Sequence, residues 1–98
     1  MIKTENGMIY NADVHFYPEM AAKQIEIAIA MERGNAMLRV PDTDDTMINL
    51  YRVFGTDSIN ALKGQYCRVM MDEMTGRIDS IKNILYDKGC EIQDNPVI

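Results

Sequence analysis

The sequence predicts an α+β domain in which a small antiparallel sheet of about five strands packs on one main helix. Three observations predict it. Met47, Leu50, Tyr51 and Phe54 recur at i, i+3, i+4 and i+7, the stripe of a helix lying on a core. Cys67, Val69 and Met71 alternate with Tyr66, Arg68 and Met70, the period of a half-buried strand, and a polar turn follows before an apolar return. Ile25, Ile27, Ile29 and Met31 occupy one phase of a second period-two pattern, opposed by Gln24, Glu26, Ala28 and Ala30.

In chain order, residues 8–16 carry Ile9, Val14 and Phe16 among polar residues and read as the first strand. Asn6 and Gly7 supply turn chemistry before it, and the broken phase around Asn11 and Ala12 fits a bulge. Residues 18–34 carry conflicting signals. Pro18 and Gly34 look like helix start and stop signals around good helix formers, whereas the isoleucine alternation is that of a strand. The strand reading is preferred. Residues 32–35 then turn the chain into AMLRV, a third strand ending at Pro41.

The helix occupies the segment after Pro41, with Asp44 as its expected cap, Asp45 at the positive end of its dipole and Arg52 near the negative end. Gly55 can take the left-handed conformation that terminates it. A single turn holding Ile59 and Leu62, capped by Thr56 or Asp57, stops at Gly64. The strand from Tyr66 to Asp72 and a bulged return over residues 77–85 then form a hairpin around residues 73–76. Residues 90–98 are expected to form a tail that is loose or docked only lightly.

Composition narrows the function. At 98 residues the chain has room for a single domain, 1–98, with one modest core. Its 47% hydrophobic and 26% charged residues are ordinary for a folded soluble protein. A net charge of -5 and no run of basic residues argue against general nucleic-acid binding. No stretch reads as a signal peptide or a membrane span, so no membrane partner is expected and the cytoplasm is the expected location. Cys67 and Cys90 are too few for a disulfide framework and lack metal-type spacing, so they are read as reduced thiols.

The segment from Gly55 to Leu85, with its helix end, LKGQYCRV strand and GRIDSIKNIL return, resembles a family of small uncharacterised phage and prophage proteins. Asn11, Ala12, Asp13 and Val14 match that family's N-terminal strand, and ERGNAMLRV stands where its glycine- and aromatic-rich middle would be. The resemblance implies a phage or prophage context, with the host cytoplasm as the compartment. It carries no catalytic residues.

The chemistry-bearing residues are sparse. His15 is the sole histidine and has no nearby nucleophile or ligand set in sequence, so a structural or surface role is expected. A zinc site from His15, Cys67 and Cys90 would lack a fourth ligand, and Asp42, Asp44 and Asp45 lack the glycine and distal glutamate of a calcium loop. No metal or cofactor is therefore expected. Paired acid and base residues, a nucleophile elbow and a phosphate-cradling glycine loop are missing, so the chain is read as no enzyme. Most of the nine methionines suit core filling, Met31, Met47 and Met71 among them.

Tyr66, Arg68 and Met70 project from the outward phase of their strand, a combination that fits a subunit interface or a stacked base with its phosphate. The leading expectation is a non-enzymatic accessory protein that binds a host protein or self-assembles, since one helix leaves much apolar sheet to cover. The alternative is a binder of a small nucleotide signal used in host defence, with Arg39, Tyr66 and Arg68 as its contacts.

Overall fold

The computed structural model describes residues 2–84 and 91–95. The elements, in order, are β1 (Ile2–Tyr17), a 3-10 turn at Pro18–Met20, β2 (Ala22–Met31), β3 (Gly34–Pro41), α1 (Asp44–Phe54), a second 3-10 turn at Asn60–Leu62, β4 (Tyr66–Asp72), β5 (Ile78–Asn83) and β6 (Ile92–Gln93). The six strands form one antiparallel sheet in the order β3-β2-β1-β4-β5-β6. The α+β class expected from sequence holds, with six strands in place of five.

β1 is the longest strand because it serves two neighbours. Residues 2–8 pair with β4, residues 7–17 pair with β2, and both partners are present at Gly7 and Met8. The strand bends where it changes partner. Tyr10 is an extra residue in the ladder with β2, so Ile9 and Ala12 both face inward although three positions apart. The bulge expected near Asn11 and Ala12 is therefore present, one residue earlier. Asn6 and Gly7 form no turn. Gly7 lies buried within β1, and a Cβ built there would sit 2.7 Å from Ile29 Cγ2 and 3.0 Å from Met31 Cγ.

Residues 22–31 form a strand, as the isoleucine alternation requires, and its inward phase opposes β3 through the pairs Ile25↔Val40, Ile27↔Leu38 and Ile29↔Ala36. Curling brings these side chains against Val69, Met71, Ile78 and Ile81 from the far half of the sheet. Fully burying an isoleucine or leucine contributes roughly 1.5–3 kcal/mol, so this apolar interior is the main source of stability. The sheet thus packs largely on itself.

α1 closes one end of the curl through Leu50, Val53 and Phe54, with Met47 packed at the margin and Tyr51 half-buried. Its cap is Thr43, whose Oγ1 accepts from Thr46 N at 3.2 Å; Asp44, the expected cap, lies one residue later in the first turn, where its charge favours the dipole. Gly55 terminates the helix at φ 64°, as expected. Asn83 Nδ2 donates to Val53 O at 3.1 Å, tying the last helical turn to β5. The following 3-10 turn has Ile59 at its N-cap in place of the expected Thr56 or Asp57; Ala61 N donates to Ser58 Oγ just before it, and Ser58 N donates to Thr56 Oγ1.

The C-terminal segment also departs from expectation. Ile92 is buried and pairs with Ile81, and Asp94 N donates to Asp79 O at 2.9 Å. Asn95 N donates to Arg39 O at 3.0 Å and Asp94 Oδ1 accepts from Arg39 N at 2.9 Å. Residues 94–95 therefore bridge β5 to β3 and bring the sheet close to a closed barrel. Of the two expected alternatives, residues 91–95 are docked rather than loose, because Ile92 contributes a core side chain; Leu85, Cys90 and residues 96–98 lie outside the described residues.

The Gly7 site gives a direct test of the bend. Gly7→Ala should lower stability by about 1–3 kcal/mol, since the added methyl has to displace Ile29 or the strand itself. Thermal unfolding followed by circular dichroism checks this, and an unchanged melting temperature would contradict it.

Candidate functional site

The outward phase of β1, β2 and β3 carries a polar cluster centred on Glu26. Its Oε2 accepts from the Tyr17 hydroxyl and from Arg39 Nε at 2.9 Å, while His15 Nε2 lies 3.3 Å from its Oε1. The sheet register explains this meeting. Glu26 is directly opposite Arg39 on one side and Asp13 on the other, and His15 and Tyr17 follow Asp13 in the same outward phase of β1. The Glu26 side chain is 12% exposed, whereas those of Arg39 and His15 are 45% and 56% exposed. The carboxylate lies beneath, and the Arg39 and His15 side chains lie above it.

Burial works against the Glu26 charge. The hydrogen bonds from Tyr17 and Arg39, with the charges of His15 and Arg39, outweigh it and hold the carboxyl below its ordinary value of 4.5. The bond to Glu26 raises the Tyr17 phenol above 10.0 and raises the Arg39 guanidinium above its ordinary value. The arrangement orients donors on the surface.

Gln24 lies beside this cluster, between His15 and Pro41 in the ladder and two residues before Glu26 on the same face. It is fully buried, and neither its Oε1 nor its Nε2 has a partner. An unpaired buried amide costs on the order of 1–3 kcal/mol, which marks the position as one that stability alone does not favour.

The structure separates the residues expected to act together. Arg39 is on β3, while Tyr66 and Arg68 are on β4, with β2 and β1 between them in the sheet. Tyr66 is 65% exposed and Arg68 half-buried, both in the outward phase of β4 beside Met70. Cys67 faces the core, and burial pushes its thiol up to about 12; His15 faces outward, so the two do not share a site. Among the described residues no group of three or more potential metal ligands converges. Glu26, Tyr17 and Gln24 were missed by sequence reasoning. The signal for Glu26 was present: a glutamate and an arginine stand at mirrored positions about the turn at residues 32–33.

No protein-family model, curated protein or solved structure matches the chain. No helix among the described residues is long and apolar enough to cross a membrane.

The Glu26 cluster makes stability depend on pH with a defined sign. A depressed folded-state pKa contributes stability that is present above the unfolded value of 4.5 and is lost as pH falls through the folded value. The raised Tyr17 pKa contributes below 10.0 and is lost as pH rises through the folded value. Glu26→Gln should therefore cost about 1 kcal/mol at neutral pH. The difference from the parent should shrink in acid, which urea titrations at pH 7 and pH 3 would show; equal stability at pH 7 would contradict the assignment.

Proposed function

We propose that this chain is a non-enzymatic accessory protein of a phage or prophage that acts in the host cytoplasm by binding a protein partner or by self-assembly. One observation carries the binding mode. The interior is filled by its own isoleucine, leucine and valine side chains, while Tyr10, Ile48, Tyr66 and Met74 remain exposed, as do Val14 and Phe16 in the inward phase of the far end of β1. A partner is therefore met by the outer surface. The phage context rests on the resemblance of residues 55–85 and of the first strand.

The connectivity supports a binding role by analogy. A long first strand shared by two halves of a curled sheet, with a helix between the third and fourth strands, parallels the barrels that bind oligonucleotides and oligosaccharides on their second and third strands. That analogy names a face and no ligand. Here the face carries Glu26 and Asp13 together with Arg39 and His15, a mixed-charge surface without the basic excess that a long phosphate backbone requires.

A second reading, capture of a small nucleotide signal, is favoured by the exposed Arg39 and His15 held in place by Glu26. Tyr66 and Arg68 would then belong to a different surface from Arg39.

Native mass spectrometry with light scattering tests both readings on one sample. The protein-binding reading expects a discrete homo-oligomer without a small ligand. A monomer at high micromolar concentration removes self-assembly, and release of a nucleotide-sized molecule moves the assignment to the second reading.

A further inference from the structure

Gln24 is fully buried, and neither the oxygen nor the nitrogen of its amide has a bonding partner. The packed side chains also leave neither atom any surface for a water molecule to touch. Buried polar groups are paired in nearly every case, so the folded chain carries a cost here that its own stability does not explain. Such costs concentrate at functional sites.

The surroundings of Gln24 are held by polar bonds at the surface. On the outer face Gln24 stands in one row with His15 and Pro41. Tyr17 lies in the row before it, opposite Ala22, and Glu26 lies in the row after it, between Asp13 and Arg39. The hydrogen bond from the Tyr17 hydroxyl to Glu26 therefore joins the rows on either side of Gln24. His15 and Arg39 are held by the same carboxylate, at 3.3 and 2.9 Å, and both are exposed. None of these side chains belongs to the hydrophobic core, so turning Tyr17 and His15 away from Glu26 breaks polar bonds and leaves the core packed.

The amide selects its complement. Gln24 presents an acceptor, Oε1, beside a donor, Nε2. A carboxylate or a phosphate carries acceptors and would leave Oε1 unpaired, next to the Glu26 charge; an ammonium would leave Nε2 unpaired. An uncharged group with a donor and an acceptor side by side satisfies both atoms, and a flat one can stack on the ring of Tyr17 or His15. The neighbouring Glu26–Arg39 pair is balanced in charge, which also suits an uncharged ligand.

We propose that Gln24 is the recognition residue of a small-ligand site that opens when Tyr17 leaves Glu26, and that its ligand presents a flat, uncharged amide-type edge, as a carboxamide or the adenine base does. The proposal rests on the small-ligand reading above and places its specificity at Gln24. In the closed form the Tyr17 bond keeps the amide covered. In the bound form the ligand pairs with the amide, between His15 and Arg39.

The side-chain amide signals of Gln24 in the nuclear magnetic resonance spectrum of the isotope-labelled full chain test this. Nicotinamide and adenosine are the probes, each with a control that lacks the edge, nicotinate and purine riboside. A shift with nicotinamide and none with nicotinate assigns a carboxamide; a shift with adenosine and none with purine riboside assigns the base. Gln24→Met keeps the length of the side chain and removes the amide, so it should abolish binding and raise the melting temperature by about 5 °C. Tyr17→Phe removes the bond to Glu26 and keeps the ring, so it should tighten binding about tenfold by populating the open form.

Silence of the Gln24 signals with both probes, or equal shifts with their controls, overturns the proposal. So does a lower melting temperature for Gln24→Met, which would mean that the amide is paired in the folded chain, or an unchanged affinity for Tyr17→Phe. If native mass spectrometry releases a nucleotide-sized molecule and Gln24→Met still carries it, the site is wrong and the small-ligand reading stands. If nothing is released and both probes are silent, both fail.

Discussion

One strand has to belong to both halves of this sheet, and the rest of the fold depends on how it bends. β1 pairs with β4 over its first residues and with β2 over the rest. A straight strand would hold the two hairpins in one open plane, with an apolar face larger than α1 can cover. Two local devices prevent that. Gly7 lets the backbones of β1 and β2 close over Ile29 and Met31, and the extra residue Tyr10 resets the inward phase so that both Ile9 and Ala12 enter the core. Once the sheet curls, Leu38 and Val40 from one edge share a core with Ile78, Ile81 and Ile92 from the other. The helix is then needed only at one end.

The bend also governs what lies outside. Because the phase resets at Tyr10, the outward residues of β1 beyond it are Asp13, His15 and Tyr17, which fall over Glu26 and Gln24 of β2. Without the extra residue Val14 and Phe16 would occupy that face, and the Glu26 carboxylate would lose Tyr17 and His15 as neighbours. Arg39 then links this network to the closure of the sheet. Its side chain binds Glu26, while its main chain holds Asp94 and Asn95. The outer cluster and the near-closure of the barrel are coupled through one residue.

The parts legible in the sequence are those decided by near neighbours. The isoleucine alternation in β2 outweighed a helix-favouring composition because burying one face of a sheet is worth more than intrinsic propensity. The limits of β4 and the glycine stop of α1 were likewise local. Gly7 was misread because its role is set by Ile29 and Met31, distant in sequence, while the Asn–Gly pair is by itself a turn signal. β6 was missed because two residues leave no periodicity to detect. At the candidate site, Arg39 was picked out but was grouped with Tyr66 and Arg68. Strand order decides such groupings, and this sequence contains no local record of the β1–β4 pairing that separates them.

Sheet closure and edge exposure are therefore one problem in this fold. A fully closed barrel would have no free edge, and among the described residues the strand that approaches closure is two residues long and is followed by contacts with β3 at Arg39. A long strand edge left bare is a hazard, which proteins usually offset with inward charges, proline or a short strand. β3 has a proline at its far end, Pro41, and carries the exposed Arg39 side chain paired with Glu26, two devices of this kind.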